Sequence, residues 1–530
     1  MSKLKSMKQI FLFSFFRVLI LCLALTVSFS GETELIQFDT DACTSILVGK
    51  LASVDGSTMT SHSCDSNTDR TWINVVPHKT YKAGEMTKVY FDPKRTKGPD
   101  DLDSLDRGEI PQTNETYAFI NTAYPVMNEY QLAIGETTFG GKRELYSDEG
   151  VIDCPELYRL VLERAKTARE AIRIADDLTR KYGYVDSGEC FTFADPKETW
   201  HFEILGPGKG KTGAVWAAVR IPDDHVGVSA NASRIRQIDL SDQDNYMASD
   251  NVYSLAEELG WWDPESGEPF EFCYAYASRR SMGSRRREWR VLSQVAPSLN
   301  LDPNGENFPF SVKAEKKLSV KDVLDIFRDS YQDTPYDMTS SLTTVNRKGE
   351  TVKSPIASPF LSRDLMSLLK IQVERTISCP RATYVQVTQS RSWLPDAIGG
   401  VVWLGYDNPS STPHTPFYCG ITQMPESYMI DGRSGFRRDC AWWAFRRVSQ
   451  LAKFRWQVMS KDIEKIWMVI EEKAYKDQES IEKEALRLFK QNPISAQEFL
   501  TKYCLEVANN AVQSYWKLGD DLWGRYTNLF

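Results

Sequence analysis

Apolar and polar positions alternate along this chain in blocks that switch between a period of two and a period near 3.6. Thr44 to Lys50 reads as a buried strand, Ser53 to Gly56 as a turn and Ser57 to Ser61 as a returning strand. Asp92 to Thr113 is charged and broken by proline and glycine, which predicts a surface loop. Tyr117 to Phe139 holds two short strand-like pieces around Asn128 to Gln131. Leu157, Leu160, Val161, Ala168, Ala171, Ile172, Ala175 and Leu178 carry a helical period from Pro155 to Tyr182, closed by Gly183. Cys190–Ala194, Thr199–Leu205, Ala214–Ile221 and Val226–Ala230 predict four strands of an antiparallel meander. Helical patterns return at Leu318–Asp329 and Cys440–Lys453, with strand-like runs Thr383–Thr388 and Gly399–Leu404 between them. In the tail Ile463, Ile466, Trp467, Ile470 and Ala474 keep one helix face apolar, and Ser495-x-x-Glu498 reads as a capping box opening a last helix. Strand groups interleaved with helical blocks predict an α+β fold of antiparallel sheets covered by helices.

Composition adds compartment and scale. The 530 residues are 42% hydrophobic and 26% charged, which are globular values, and the formal net charge is −8. An acidic balance argues against a nucleic-acid protein. Lys3, Lys5 and Lys8 precede the apolar run Val18 to Val27, and Ser28 and Ser30 supply small residues for a signal peptidase, so residues 1–30 read as an export signal. Arg17 interrupts the run, which disfavours a stable membrane anchor. The expected location is secreted or lumenal, as in an endomembrane or lysosome-like compartment. There, pairs among Cys64, Cys154, Cys190, Cys273, Cys379, Cys419, Cys440 and Cys504 become candidates for disulfides.

Several familiar motifs fail on context. Gly208-Lys-Gly210-Lys-Thr-Gly213 matches the dinucleotide fingerprint by letter, yet the segment after it reads as strand where the mechanism needs a helix N-terminus. There is no HExxH, CxxC or G-x-S-x-G, and the five histidines are scattered. The informative segment runs from Asp41 to Asp65, with Cys43 opening a buried strand a dozen residues past the signal. Cleavage before Cys43 would leave a thiol and a free α-amine on one residue. An α-amine titrates at about 7.7–8.0, so it can take the thiol's proton near neutral pH and return it to a leaving amine. A reversal near Val54 and Asp55 brings residues around Asp65 opposite Cys43, where a carboxylate could orient the amine. An ordinary buried cysteine with a solvated Asp65 would satisfy the same pattern.

The segment Cys43-Thr-Ser-Ile-Leu-Val-Gly-Lys50 with Asp55-Gly-Ser-Thr58 resembles the start of the mature chain in the secernin and bacterial dipeptidase family of cysteine N-terminal-nucleophile hydrolases, relatives of penicillin V acylase and bile-salt hydrolase. Asn128-Glu-Tyr-Gln-Leu-Ala-Ile-Gly-Glu-Thr-Thr138, Gly227-Val-Ser-Ala-Asn231-Ala-Ser-Arg234, Phe270-Glu-Phe272, Arg287-Glu-Trp-Arg290 and Gly432-Arg-Ser-Gly435 extend the resemblance over most of 43–450. It implies an αββα sandwich, removal of a propeptide at 31–42, a hydrolase domain over 43–455 and a helical extension over 456–530. It further implies Cys43 as nucleophile, Asp65 as the aspartate holding its amine, and Asn128 and Asn231 as the asparagines lining the oxyanion and nucleophile region. Arg287 is the choice for a second superfamily arginine, from the run Arg285 to Arg287 that also reads as a solvated helix face. His62 stands where the superfamily has an arginine, which predicts greater pH sensitivity. His62 and Glu129 are the substrate-binding candidates, and Glu136 a further carboxylate for a substrate's ammonium, although exposed carboxylates of this kind are often merely solvated.

The expected function is a secreted dipeptidase needing no metal or organic cofactor, acting on small peptides, with no nucleic-acid partner and a homo-oligomer as one option for assembly. An acylase of penicillin V or bile-salt type amides and a non-catalytic secreted member of the fold are the alternatives. Asn114 and Asn231 both sit in glycosylation sequons; Asn114 is the usable one, since a glycan on Asn231 would block the pocket.

Overall fold

The structure is a computed structural model that describes residues 42–527 apart from Arg279. The export signal and all but the last residue of the expected propeptide lie outside the described residues. Ser45–Val48 is the opening strand, and all four of its residues are buried. It pairs antiparallel with His225–Ser229, which pairs in turn with Ser311–Lys313. Ser61–Cys64 returns beside it through the bridges Thr44 to Ser63 and Val48 to Met59. That strand continues in a four-stranded sheet with Tyr384–Gln389, Val401–Tyr406 and Thr415–Tyr418. The expected hairpin is therefore real at its base and divided above it, each arm serving a different sheet.

Facing these strands is an eight-stranded sheet whose centre is Ala133–Thr138, Glu189–Ala194, Thr199–Leu205 and Val215–Ile221. Three of the four meander strands stand as expected; the fourth, His225–Ser229, leaves the meander to pair with the opening strand. The two layers touch closely. A Cβ at Gly135 would meet the Ser61 carbonyl oxygen at 2.2 Å, and the Thr60 and Thr192 hydroxyls bond at 2.7 Å across the gap. Helix Cys154–Leu162 covers the outer face through Tyr158, whose hydroxyl donates to the Gly135 carbonyl at 2.6 Å. The single helix expected over Pro155–Tyr182 is two, because Thr167 accepts from the Glu170 N–H and caps a second helix, Ala168–Tyr182, which Gly183 ends at φ 74°.

The other side is covered by Ala441–Ala452 and the tail helices Trp456–Gln491 and Pro493–Thr527. The last helix does not open at Ser495. Asn492 accepts from the Ile494 N–H at 3.1 Å and Pro493 occupies the first turn, so Ser495 lies inside the helix. Asp92–Thr113 is more ordered than a loop, since Asp106–Pro111 pairs with Met86–Tyr90. The glycine-rich 208–213 segment joins two strands with Gly208, Gly210 and Gly213 all at positive φ, which excludes a phosphate-binding helix start there. Cys43 and the eight candidate cysteines are all buried free thiols, so no disulfide forms among the described residues. Among those residues no helix is long and apolar enough to cross a membrane. The mixed α+β class expected from the sequence holds.

Candidate active site

The site gathers at the N-terminal end of the opening strand, where the two sheets meet. The peptide bond between Ala42 and Cys43 is held along its length. The Ala42 carbonyl accepts from Arg375 Nη2 at 3.1 Å, and the Cys43 N–H donates to Asn231 Oδ1 at 3.0 Å. The Cys43 carbonyl accepts from Arg287 Nη1 at 2.5 Å. Arg287 Nη2 donates to the same Asn231 oxygen at 2.8 Å and to the Ala230 carbonyl at 3.1 Å. Asn231 itself sits at φ 57°, a left-handed conformation that asparagine tolerates better than most side chains, and Asn231 Nδ2 donates to the Thr138 carbonyl. Both its amide atoms are thus engaged inside the site, consistent with Asn114, which is exposed, being the accessible sequon.

Arg287 comes from helix Met282–Val295, on which Arg285, Arg286 and Arg287 are all buried. A solvated helix face is excluded for this run. Burial pulls Arg287 down to about 10, still cationic at neutral pH. Asp65 follows Ser61–Cys64 and is wholly buried. Its Oδ2 takes hydrogen bonds from Arg375 and, at 3.1 Å, from Ser63 Oγ, while Oδ1 has no hydrogen-bond partner. Burial raises the Asp65 pKa, against the opposing pull of Arg375 and Arg287. Burial likewise pushes the Cys43 thiol well above its usual value; the Glu136 carboxylate adds to this, and the Asp65 backbone N–H opposes it. With Ala42 still attached, Cys43 is a neutral thiol.

His62 and Glu136 complete the surroundings of the sulfur. Cys43, His62 and Glu136 place one ligand atom each within 4.8 Å of one another, all three residues buried. His62 Nε2 stands 3.3 Å from Glu136 Oε2. Glu136 is not the solvated carboxylate the sequence suggested; it is fully buried between the sheets. Burial alone would raise its pKa, but His62 and the neighbouring Glu189 outweigh it and hold it low, while burial and the Glu136 charge drive Glu189 high.

Two expected site residues are committed to other partners. Asn128 spends its whole amide on structure: Nδ2 donates to the carbonyls of Leu162 and Ala165, and Oδ1 accepts from the N–H groups of Tyr130 and Leu132. No N–H remains to meet an oxyanion, so its role is to pin the chain after helix Cys154–Leu162. Glu129 is bound by His78 Nδ1 at 2.6 Å and by the Ala118 N–H, outside the Cys43 cluster. The residue the sequence did not reveal is Arg375. It lies in an irregular segment with no periodicity, 310 positions from Asp65, yet its guanidinium bonds both Asp65 and the Ala42 carbonyl.

The model of peptidase family C69 matches residues 42–468, so the match begins one residue before Cys43. A probable dipeptidase of Salmonella dublin is 29% identical over 421 residues, covering 75% of this chain and 84% of that protein. A probable dipeptidase of Latilactobacillus sakei is 27% identical over 414 residues, covering 74% and 77%. Dipeptidase A of Lactobacillus helveticus is 23% identical over 429 residues, covering 78% and 83%. By the extent of the family match, this chain belongs to peptidase family C69.

Proposed function

We propose that this protein is a cysteine dipeptidase of N-terminal-nucleophile type, secreted or lumenal, made competent when the Ala42–Cys43 bond is cut. The observation that carries this reading is the grip on that one peptide bond: a guanidinium on the Ala42 oxygen and an asparagine on the Cys43 nitrogen. In maturation the Cys43 sulfur attacks the Ala42 carbonyl carbon. The developing oxyanion is met by Arg375, a donor of a kind worth about 3 kcal/mol in a transition state. The C–N bond breaks, the thiol's proton passes to the new amine, and water hydrolyses the thioester.

The freed α-amine then serves the catalytic cycle. Asp65 Oδ1, buried and unpartnered, is placed to orient it, and the Asn231 oxygen that accepted the peptide N–H accepts from the amine instead. The amine takes the thiol proton, Cys43 attacks the scissile carbonyl, and the ammonium protonates the departing amino acid. The acyl-enzyme is a thioester released by water. Dipeptides carry a free ammonium group, and buried Glu136 beside the nucleophile favours such a substrate over an apolar acyl chain. The relatives named as dipeptidases support the same class. Turnover of a panel of free dipeptides, compared with N-acyl amino acids, tests this. Hydrolysis of the acyl compounds alone would replace the dipeptidase reading with an acylase, and no turnover of either by chains starting at Cys43 would favour a non-catalytic protein.

A further inference from the structure

The trio Cys43, His62 and Glu136 has a second chemical capacity. His62 Nε2 and Glu136 Oε2 are buried, and neither makes a well-directed hydrogen bond. Their 3.3 Å separation is long for a charge-assisted hydrogen bond, which would close to about 2.7–2.9 Å. It equals the edge of a tetrahedral zinc site instead: ligands about 2.0–2.1 Å from the metal stand roughly 3.3–3.4 Å apart. The sulfur lies at most 4.8 Å from either partner, against the corresponding edge of about 3.6 Å in such a site.

The surroundings suit such an ion. The His62 ring is fixed between Tyr124 and Tyr384, whose centroids lie at 5.3 and 5.6 Å, and the Tyr384 hydroxyl is 3.4 Å from Nδ1. That contact leaves Nε2 facing the site, the outer-shell device that orients a metal-binding imidazole. Glu136 Oε1 is held by the Thr138 hydroxyl at 3.1 Å, leaving Oε2 facing it. A thiolate and a carboxylate neutralise a divalent charge in this buried place, where the present pair must coexist without it.

We propose that Cys43, His62 and Glu136 form a binding site for a thiophilic divalent cation of the zinc class, which silences the nucleophile by occupying its sulfur. The metal displaces the thiol proton to water, and a water molecule fills the fourth position. Once Cys43 is the first residue, its α-amine takes that place and closes a five-membered chelate ring with the sulfur. Metal binding follows from the positions of three side chains and does not depend on the dipeptidase reading; only the inhibitory consequence rests on it.

Cobalt(II) titration of the full chain tests the site without an activity assay. One equivalent should produce the intense visible bands of a tetrahedral ion together with a near-ultraviolet thiolate charge-transfer band, and zinc should abolish both. Cys43→Ser should remove the charge-transfer band, whereas Cys64→Ser, altering the neighbouring buried thiol, should keep it. Glu136→Gln, near-isosteric, and His62→Ala, each checked for native melting, should weaken cobalt binding beyond the roughly 10–100-fold that outer-shell changes cost. Absence of the charge-transfer band at stoichiometric cobalt would overturn the proposal. So would its persistence in Cys43→Ser, or unchanged affinity in natively folded Glu136→Gln. In the active enzyme, zinc should stop turnover and a chelator should restore it; full turnover of zinc-loaded protein would remove the inhibitory part alone.

Discussion

Two asparagines separate structure from chemistry at the scale of single residues. Asn128 satisfies four backbone groups, three of them in buried bonds, so Asn128→Ala leaves them without that partner and should destabilise the fold by about 3 kcal/mol, measured by urea unfolding. The remaining folded molecules should still mature. Asn231→Ala removes the acceptor that Cys43 N–H and Arg287 share, and should block both maturation and turnover. Arg375→Ala should slow removal of the residues ahead of Cys43 roughly 100- to 1,000-fold, the range for losing one oxyanion donor, read by timed mass spectrometry. An unchanged rate would take Arg375 out of the step. Cys43, Asp65, Asn231 and Arg287 were implied by the family resemblance of the segments that hold them, and the structure brings them together around one peptide bond. Arg375 was not, since its segment has neither periodicity nor a motif. Asn128 misled for the opposite reason: a polar residue inside a motif can be there to satisfy the backbone of its neighbours.

Secondary-structure elements show where one-dimensional patterns lose information. Ser61–Cys64 reads Ser-His-Ser-Cys, which has no apolar face, yet all four residues are buried. Its hydroxyls bond across to the opening strand, Ser63 Oγ accepting from the Thr44 N–H and Ser61 Oγ from the Ile46 N–H. Periodicity reports burial through apolar side chains, so a buried strand satisfied by hydrogen bonds escapes it. The pattern also finds strands without assigning partners, so Val226–Ala230 reads as a meander strand although the strand formed there, His225–Ser229, pairs with the opening strand. The tail helices illustrate a second, energetic point. Glu471 on the first of them accepts from Arg328 at 2.5 Å and from the His414 N–H at 2.8 Å. Burial would raise Glu471, but Arg328 and His414 outweigh it and the pKa is lowered. Its stabilising contribution is therefore full above the unfolded glutamate value near 4.3 and is lost as pH falls through the lower folded value. Glu471→Ala should cost about 3 kcal/mol at neutral pH by leaving Arg328 with only the more exposed Asp325 as its ionic partner, with a smaller difference from the parent under acid conditions. An equal loss at pH 7 and in strong acid would show that the pair contributes nothing through its charge.

For the whole molecule, the tail belongs to the same compact unit as the other described residues and seals the four-stranded sheet. Tyr515 donates to the Ser411 carbonyl at 2.8 Å, and Tyr475 packs on Trp403 with centroids 4.7 Å apart. The apolar stripe at Ile463, Trp467 and Ala474 announced this packing, though not the surface it meets. A chain ending at 455 should accordingly expose that surface and aggregate, as followed by light scattering; a soluble, monodisperse product would show the tail to be dispensable.

The decisive quantity is the identity of the first residue in working enzyme. Intact-mass and N-terminal peptide analysis, performed on the protein whose dipeptide turnover has just been measured, reads it directly. The account predicts that turnover rises in step with the fraction of chains beginning at Cys43, and that Cys43→Ala stays joined to Ala42 and inert. Turnover by chains in which Ala42 remains attached to Cys43 would contradict it.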